Sequence, residues 1–203
     1  ALNHDEHGAH IHIRKRLPRG GGLGGGSSNA ATTLLALNRL WQLGLPQSSL
    51  LEIAEPLGAD VPVFVLGQNA WAEGTGEVLT PLTLPKRWYV IVQPECEVST
   101  AEIFAQPELT RHTVPITVQA FFSGAGSNDL QAVVLSRYPE VKQAWEWLYQ
   151  QSPTACMTGS GACLFAALET REEAEHIAAI APEGLKVDVA AGLDKLPPMQ
   201  EVA

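Results

Sequence analysis

Apolar residues between positions 30 and 41 recur at spacings of three and four, which is typical of a helix that buries one face. They are Ala30, Ala31, Leu34, Leu37, Leu40 and Trp41. The run follows Ser27-Ser28-Asn29, which favours a helix start, and it precedes Gly44 and Pro46, which end helices. The pattern therefore predicts a helix of about 16 residues, with a length of about 24 Å.

Shorter patterns fill the rest of the first half. Polar and apolar residues alternate from His10 to Leu17, which is the period of a half-buried strand. Ser49 and Glu52 have the spacing of a capping box, so a second helix is predicted to start at Ser49 and to end at Gly58. The remaining patterns are an apolar run at 61–66, which fits a strand or one helical turn, and a hairpin at 69–73 and 77–82.

Prolines and basic residues near position 85 indicate a boundary between two domains, at 1–85 and 86–203. The second part mixes helices and strands with hairpin-like connections, which predicts an α+β fold. Ser99 or Thr100 would cap its first helix. The predicted strands are 88–92, 155–157, 162–168 and 186–190, and the predicted helices are 100–104, 128–137, 140–150 and 171–180.

The composition is that of a globular protein that can bury a core, with 203 residues, 45% of them apolar and 17% charged. A net charge of −9 argues against a general nucleic-acid binder, which would carry a basic face. No apolar run is long enough for a membrane span, and Cys96, Cys156 and Cys163 are too few for a disulfide framework. These features favour a cytoplasmic protein, and they give no oligomeric state. The chain begins with Ala1, so a processed start or a missing N-terminal portion is expected.

A dense glycine run lies directly before the first predicted helix, where six of the seven residues from 20 to 26 are glycine. Glycine reaches positive φ and lets another group approach the backbone closely. A helix N-terminus presents unpaired N–H groups and a positive dipole end. The run therefore predicts an anion site, with phosphate as the anion. The alternative is a flexible linker, but a linker would not run straight into a capped amphipathic helix.

Two common phosphate loops do not match this run. A Walker loop needs Gly-Lys before Ser or Thr, whereas Gly26 is followed by Ser27-Ser28. The dinucleotide-binding motif expects an acidic residue about 20 residues further on, where this chain has Trp41-Gln42.

Three further groups have both a structural and a functional interpretation. Asp60 is a cap or turn residue, or it is a carboxylate that orients or deprotonates an attacking hydroxyl, as a kinase requires. Thr158-Gly159-Ser160-Gly161 is a hairpin turn or a second wall of the phosphate site. Lys15 and Arg16 are solvated strand ends or groups that neutralise phosphate charge. No metal site is predicted, because no carboxylate or cysteine pattern joins His4, His7, His10 and His12.

Four segments, in their order along the chain, resemble the GHMP kinase family. Residues 18–31 are similar to the family's second motif, Pro-x-Gly-x-Gly-Leu-Gly-x-Gly-Ser-Ser, and Gly58-Ala59-Asp60-Val61-Pro62-Val63-Phe64 is similar to the segment with the catalytic aspartate. Ser127-Asn128-Asp129-Leu130 is also similar to family members, and residues 158–163 resemble the third motif. The resemblance covers roughly residues 10 to 192. The triple glycine at 24–26, Leu57 to Phe64 and Ala-Glu-Gly-x-Gly-Glu at 72–77 are similar to members that act on a cytidine diphosphate-linked methylerythritol.

This resemblance implies a two-domain GHMP kinase fold of the α+β class. The N-terminal domain would be like the second domain of a small-subunit ribosomal protein, here partial, and the C-terminal domain would be ferredoxin-like. The implied reaction is ATP-dependent phosphorylation, with Mg²⁺, of the 2-hydroxyl of the methylerythritol unit, in the non-mevalonate route to isoprenoid precursors.

The resemblance also implies roles for single residues. Asp60 would be catalytic, and Lys15, Thr100 and Phe104 would bind substrate, although a core position for Phe104 is an equal alternative. Thr158, Gly159, Ser160 and Gly161 would form the second glycine turn of the site. The implied ATP-binding residues are Pro18, Arg19, Gly20, Gly21, Gly22, Leu23, Gly24, Gly25, Gly26, Ser27 and Ser28.

Family members begin with a segment containing a Pro-x-Lys-(Ile or Leu)-Asn-type motif, which supplies a catalytic lysine. Nothing before His10 resembles this motif, so an N-terminally truncated member is expected. Two alternatives stay open at this point. One is a nucleotide-binding fragment without catalytic activity, and the other is a GHMP kinase that acts on homoserine or mevalonate.

Overall fold

The structure is a computed structural model that describes residues 8–197. This described part divides into two compact units. The first unit contains residues 8–16, 24–84 and 194–197, and the second contains residues 17–23 and 85–193. The chain passes between units after Leu84, directly beside the predicted boundary, but it also passes between them within the glycine run, after Leu23. The domain limits 1–85 and 86–203 stay a prediction.

Helices form the core of the first unit. α1 (Gly25–Leu40) packs against α3 (Val61–Leu66), and α2 (Gln47–Ala54) contacts both of them before a short 3-10 turn at Glu55–Leu57. Their apolar faces meet in one cluster of buried side chains, which bury apolar surface and so stabilise the unit. The buried residues of this cluster are Ala31, Leu50, Ala54, Val61 and Val65.

A hairpin completes the first unit. β1 (Ala70–Glu73) pairs antiparallel with β2 (Val78–Pro81), with Ala70 opposite Pro81 and Glu73 opposite Val78. The hairpin prediction is therefore confirmed. The apolar run at 61–66 is a helix, since Pro62 at its start has the fixed φ that suits a first helical turn.

The predicted strand from His10 to Leu17 is wrong. Ile11 and Ile13 are 53% and 52% exposed, and among residues 8–197 no strand pairs with this segment. A strand needs a neighbour to satisfy its backbone N–H and C=O groups, so alternation alone does not make one. The Ser49 capping box is also wrong, because α2 begins at Gln47, directly after an extended Pro46.

The second unit is built on a four-stranded antiparallel sheet with strand order β4-β5-β3-β6. These strands are β3 (Trp88–Gln93), β4 (Cys156–Met157), β5 (Leu164–Leu168) and β6 (Lys186–Ala191). Val90 in the central strand β3 lies opposite Ala166 on one side and Val189 on the other. Val90 and Ala166 are fully buried, so the core of this unit lies against the sheet.

Five helices belong to this unit, and α7 and α8 pack on the sheet. The five are α4 (Thr100–Phe104), α5 (Val118–Phe122), α6 (Asp129–Arg137), α7 (Pro139–Gln151) and α8 (Arg171–Ala179). Ser99 caps α4 by accepting a hydrogen bond from the Glu102 N–H, as predicted. The α+β prediction is confirmed. Among residues 8–197, no helix has the length and apolar character needed to cross a membrane.

Candidate active site

The first turn of α1 presents backbone N–H groups that have no acceptor in the described part of the chain. Gly24 occupies the N-cap in the left-handed region, with φ of 63°, and no side chain caps the helix. The first hydrogen bond of the helix runs from the Ser28 N–H to the Gly24 carbonyl over 2.8 Å, so the N–H groups of residues 25–27 have no partner among residues 8–197. Gly26 is exposed, and a Cβ placed there would meet no heavy atom within 4 Å. An anion therefore fits at this helix end.

Before Leu23, close packing against other parts of the protein requires glycine at positions 21 and 22. A Cβ on Gly22 would lie 2.0 Å from the Thr158 carbonyl oxygen, and a Cβ on Gly21 would lie 2.9 Å from the Cys163 Sγ. Gly22 also has a positive φ of 69°, which other residues rarely adopt. The group that approaches this part of the loop is thus the protein itself. The predicted role of Gly21 and Gly22 in ATP binding stays a prediction.

Hydrogen bonds join the same loop to the second glycine turn, within the second unit. The Ala162 N–H donates to the Gly20 carbonyl over 2.8 Å, and the Cys163 N–H donates to the Gly21 carbonyl over 3.2 Å. The Thr158 hydroxyl donates to the Gly22 carbonyl over 2.8 Å. Residues 158–161 also connect the paired strands β4 and β5, so they form a hairpin turn and at the same time hold residues 20–22.

Asn128 supports this turn, a role that sequence reasoning missed. Its Nδ2 donates to the carbonyls of Met157 and Gly159, each over 2.8 Å, and its Oδ1 accepts from the Leu130 N–H at the start of α6. The cap position is visible in the sequence as Asn before Asp-Leu. The other two bonds are not, because their acceptors are backbone groups about 30 residues away in the chain.

Asp60 lies at the N-cap position of α3, but its side chain makes no capping hydrogen bond. The residue is exposed, and its carboxylate has no hydrogen-bond or ion-pair partner among the described residues. One helical turn further on, the Phe64 ring lies 3.0 Å from the position of a Cβ on Gly24. The short helix α3 thus directly follows Asp60, and its Phe64 ring packs beside the start of α1.

Thr100 and Phe104 share α4 in the second unit. The Thr100 Oγ1 lies 2.6 Å from the Ser160 Oγ, within a hydrogen bond that links α4 to the second glycine turn. Phe104 is 51% exposed, whereas its neighbour Ile103 is fully buried. The core interpretation of Phe104 is therefore wrong. The Arg111 Nη2 donates to the Phe104 carbonyl over 2.6 Å and so holds the C-terminal end of this helix.

The other predicted site residues have fewer contacts. Lys15, Arg16 and Arg19 are exposed, and none has an ion-pair or hydrogen-bond partner among residues 8–197. Residues 8–197 hold no group of three or more histidine, cysteine or acidic side chains able to bind a metal. His4 and His7 lie outside the described residues.

One buried thiol has an altered acidity. Burial raises the pKa of Cys163 to about 11, because removal from water disfavours the charged thiolate. Cys163 packs beside Gly21, so it contributes apolar contact to the loop and stays protonated at neutral pH.

Comparisons with known proteins agree with these features. The family model for the GHMP kinases N terminal domain matches residues 1–68, and the model for the GHMP kinases C terminal matches residues 117–187. A protein of Nitrosospira multiformis named 4-diphosphocytidyl-2-C-methyl-D-erythritol kinase is 54% identical over 94% of this chain and 65% of its own length. A protein of the same name from Thiobacillus denitrificans is 54% identical over 94% of this chain and 68% of its own length. The chain thus spans about two thirds of the length of these relatives.

Solved structures give a similar result. The crystal structure of a 4-(cytidine 5'-diphospho)-2C-methyl-D-erythritol kinase matches with a TM-score of 0.71 and 33% identity, over 87% of this chain and 68% of that protein. A homoserine kinase from Cytophaga hutchinsonii matches with a TM-score of 0.55 and 18% identity, over 89% of this chain and 68% of that protein. The second likeness is one of fold alone.

Proposed function

Because the chain belongs to the GHMP kinase family, we propose that it serves ATP-dependent phosphorylation of a small-molecule alcohol. The acceptor is a cytidine diphosphate-linked methylerythritol, since this is the substrate class in the names of relatives at 54% identity. The reacting group is its 2-hydroxyl, as the resemblance to the GHMP kinase family implies. This reaction belongs to the non-mevalonate route to isoprenoid precursors.

One observation within the first unit carries this proposal. Asp60, with its exposed carboxylate, lies at the N-cap of α3. The ring of Phe64 in the same helix lies beside Gly24, which precedes the N–H groups of α1 that have no partner among residues 8–197. Phosphoryl transfer needs positive dipoles for the phosphates and a group that takes the proton of the attacking hydroxyl.

The phosphates of ATP fit the first turn of α1. The N–H groups of Gly25, Gly26 and Ser27 donate to phosphate oxygens, and each such contact with a helix end contributes about 0.3–1 kcal/mol. The hydroxyls of Ser27 and Ser28 have no hydrogen-bond partner among residues 8–197, so oxygen ligands for Mg²⁺ are available there. Residues 18–24 line the rest of the ATP site, and the packing of Gly21 against Cys163 and of Gly22 against Thr158 fixes the shape of this part of the loop.

Asp60 accepts the proton of the substrate hydroxyl. As that proton moves to the carboxylate, the hydroxyl oxygen forms a bond to the γ-phosphorus, the bond from the γ-phosphorus to the bridging oxygen breaks, and ADP leaves. An exposed carboxylate that has no hydrogen-bond or ion-pair partner among residues 8–197 is open to a substrate.

Thr100 and Phe104 bind the cytidine end of the substrate. An exposed aromatic ring next to a buried residue on the same short helix gives a base a flat surface on which to stack. Lys15, exposed and without an ion pair among the described residues, contributes positive charge towards substrate phosphate. We also propose a cytoplasmic location, which the free thiols of Cys96, Cys156 and Cys163 support.

Calorimetric titration with a non-hydrolysable ATP analogue, beside a phosphotransfer assay on the full chain, tests the proposal. We expect nucleotide binding and transfer in the wild type, and in Asp60→Asn we expect binding within about twofold but transfer lower by about 10²-fold or more. Binding without transfer in the wild type would favour a nucleotide-binding protein without catalytic activity. Transfer to homoserine or mevalonate, but not to the cytidine diphosphate-linked alcohol, would identify a different GHMP kinase activity.

A further inference from the structure

The turn of the β1–β2 hairpin lies directly against the residue that precedes Asp60. A Cβ on Gly76 would lie 2.2 Å from the Ala59 carbonyl oxygen and 3.0 Å from the Ala59 carbonyl carbon. No side chain separates the two segments, since they meet backbone to backbone. Gly76 also has a positive φ of 116°, so both space and conformation require glycine there.

Glu77 fixes the shape of this turn. Its Oε2 accepts hydrogen bonds from the Thr75 N–H over 2.7 Å and from the Thr75 hydroxyl over 2.8 Å. The carboxylate also fills the space beside Gly74, where a Cβ would lie 2.1 Å from its Oε1. Hydrogen bonds from the backbone of Glu77 itself and from Thr75 lower the pKa of Glu77, so the carboxylate stays charged at neutral pH and keeps these bonds.

The core fixes the other side of the same loop. Val61, directly after Asp60, is 1% exposed within the cluster between α1, α2 and α3. Its N–H donates to the Gly58 carbonyl over 3.0 Å, which closes a turn around Ala59 and Asp60. The exposed Asp60 thus lies between the buried Val61 and Ala59, whose carbonyl lies against the hairpin turn.

We propose that Gly76 is a positioning residue for Asp60. The turn at 74–77 is a fixed support for the Ala59 carbonyl, and it thereby sets the place from which the Asp60 carboxylate accepts the proton of the substrate. This inference rests on the proposed role of Asp60. Because a misplacement of about 1 Å can lower a rate by about 10²-fold, a support of this kind acts on turnover more than on nucleotide binding.

Gly76→Ala tests this role, with Gly44→Ala as the matched control. Gly44 also has a positive φ, of 62°, but a Cβ there would meet no heavy atom within 4 Å. Both glycines have a positive φ, and of the two variants only Gly76→Ala places a Cβ against the Ala59 carbonyl. We expect kcat to fall by about 10-fold or more in Gly76→Ala, with KM for ATP within about twofold, and kcat to stay within about twofold in Gly44→Ala.

Hydrogen exchange at the Val61 amide gives a readout that does not need activity. Displacement of Ala59 weakens the Val61 to Gly58 hydrogen bond, so exchange is expected to be faster in Gly76→Ala and unchanged in Gly44→Ala. If Gly76→Ala does not fold, Glu77→Ala takes its place, because it loosens the turn without adding atoms against Ala59. Glu77→Gln, which keeps an acceptor oxygen, should then restore most of the turnover.

The outcomes separate the two proposals. A wild type that transfers no phosphoryl group contradicts the proposed function, and Val61 exchange still decides whether the turn holds the loop. Equal kcat in Gly76→Ala and Gly44→Ala overturns the positioning role. Unchanged Val61 exchange in a folded Gly76→Ala, or in Glu77→Ala where that variant replaces it, overturns it as well.

Discussion

The two oxygens of Thr158 hold Gly22 in two ways. The hydroxyl donates a 2.8 Å hydrogen bond to the Gly22 carbonyl, while the Thr158 carbonyl oxygen lies 2.0 Å from where a Cβ on Gly22 would be. The residues are 136 positions apart in the chain. The first half of the glycine-rich run is therefore shaped by internal packing, and its second half, from Gly24 onward, leaves backbone groups free.

Gly22→Ala should destabilise the protein strongly. The new Cβ meets a backbone carbonyl that cannot move aside cheaply, and the positive φ adds strain of its own. We expect the free energy of unfolding to fall by about 3 kcal/mol in urea titrations.

Gly26→Ala provides the matched comparison within the same run. A Cβ there meets nothing within 4 Å, and alanine favours a helix, so stability should stay equal or rise by up to about 1 kcal/mol. Affinity for an ATP analogue should fall, because the methyl group occupies space next to the free N–H groups. Equal unfolding free energies for the two variants would contradict the division of the run into a packed half and a binding half.

Helices, hairpins and strands whose signals lie within a few neighbouring residues could be predicted from the sequence. α1 has the predicted length of 16 residues, and Ala31 on its predicted apolar face is buried. The hairpin at residues 70–81 and the strand from Trp88 were likewise visible, because turn glycines and apolar runs lie within a few residues of each other.

The sequence could not predict contacts between distant segments. The alternation at Ile11 and Ile13 is real, but a strand depends on a partner strand that a local pattern does not contain. The packing of Gly22 against Thr158 and the bonds from Asn128 to the second glycine turn also join segments far apart in the chain. The anion site that the glycine run predicts at the start of α1 stays a prediction, and only part of the run faces open space.

Asn128→Asp separates the two roles of Asn128. An aspartate still accepts the Leu130 N–H and so keeps the cap on α6, but it cannot donate to the carbonyls of Met157 and Gly159. We expect the free energy of unfolding to fall by about 2 kcal/mol in urea titrations at pH 7, because two carbonyls then face a carboxylate. Asn128→Ala, which loses the cap as well, should cost about 1 kcal/mol in addition to the two lost bonds. A wild-type unfolding curve for Asn128→Asp would show that the cap alone matters.

Phe104→Ala should affect substrate binding more than stability. Because the ring is 51% exposed, the free energy of unfolding should change by less than about 0.5 kcal/mol. Stacking on a base is worth about 1–3 kcal/mol, so KM for the cytidine-containing substrate should rise by about 5- to 150-fold, with KM for ATP unchanged. Phe122→Ala is the control, since Phe122 is exposed to a similar degree, 48%, on α5 of the same unit. Equal KM values in Phe104→Ala and the wild type would exclude the ring from the base site.

Cys163 should make stability fall with rising pH. The folded state raises the pKa of this thiol to about 11, whereas an unfolded chain ionises it at an ordinary value near 9. The contribution is therefore fully present below pH 9 and is lost as pH rises towards 11, because the unfolded state releases its proton first. Urea titrations of the wild type and Cys163→Ala at several pH values across this window isolate the effect from other groups that titrate there. The wild type should lose stability more steeply than the variant, and iodoacetamide at pH 8 should leave Cys163 unmodified in the folded protein. Parallel pH profiles for the two proteins, or rapid alkylation of Cys163 in the native state, would contradict a protonated thiol beside Gly21.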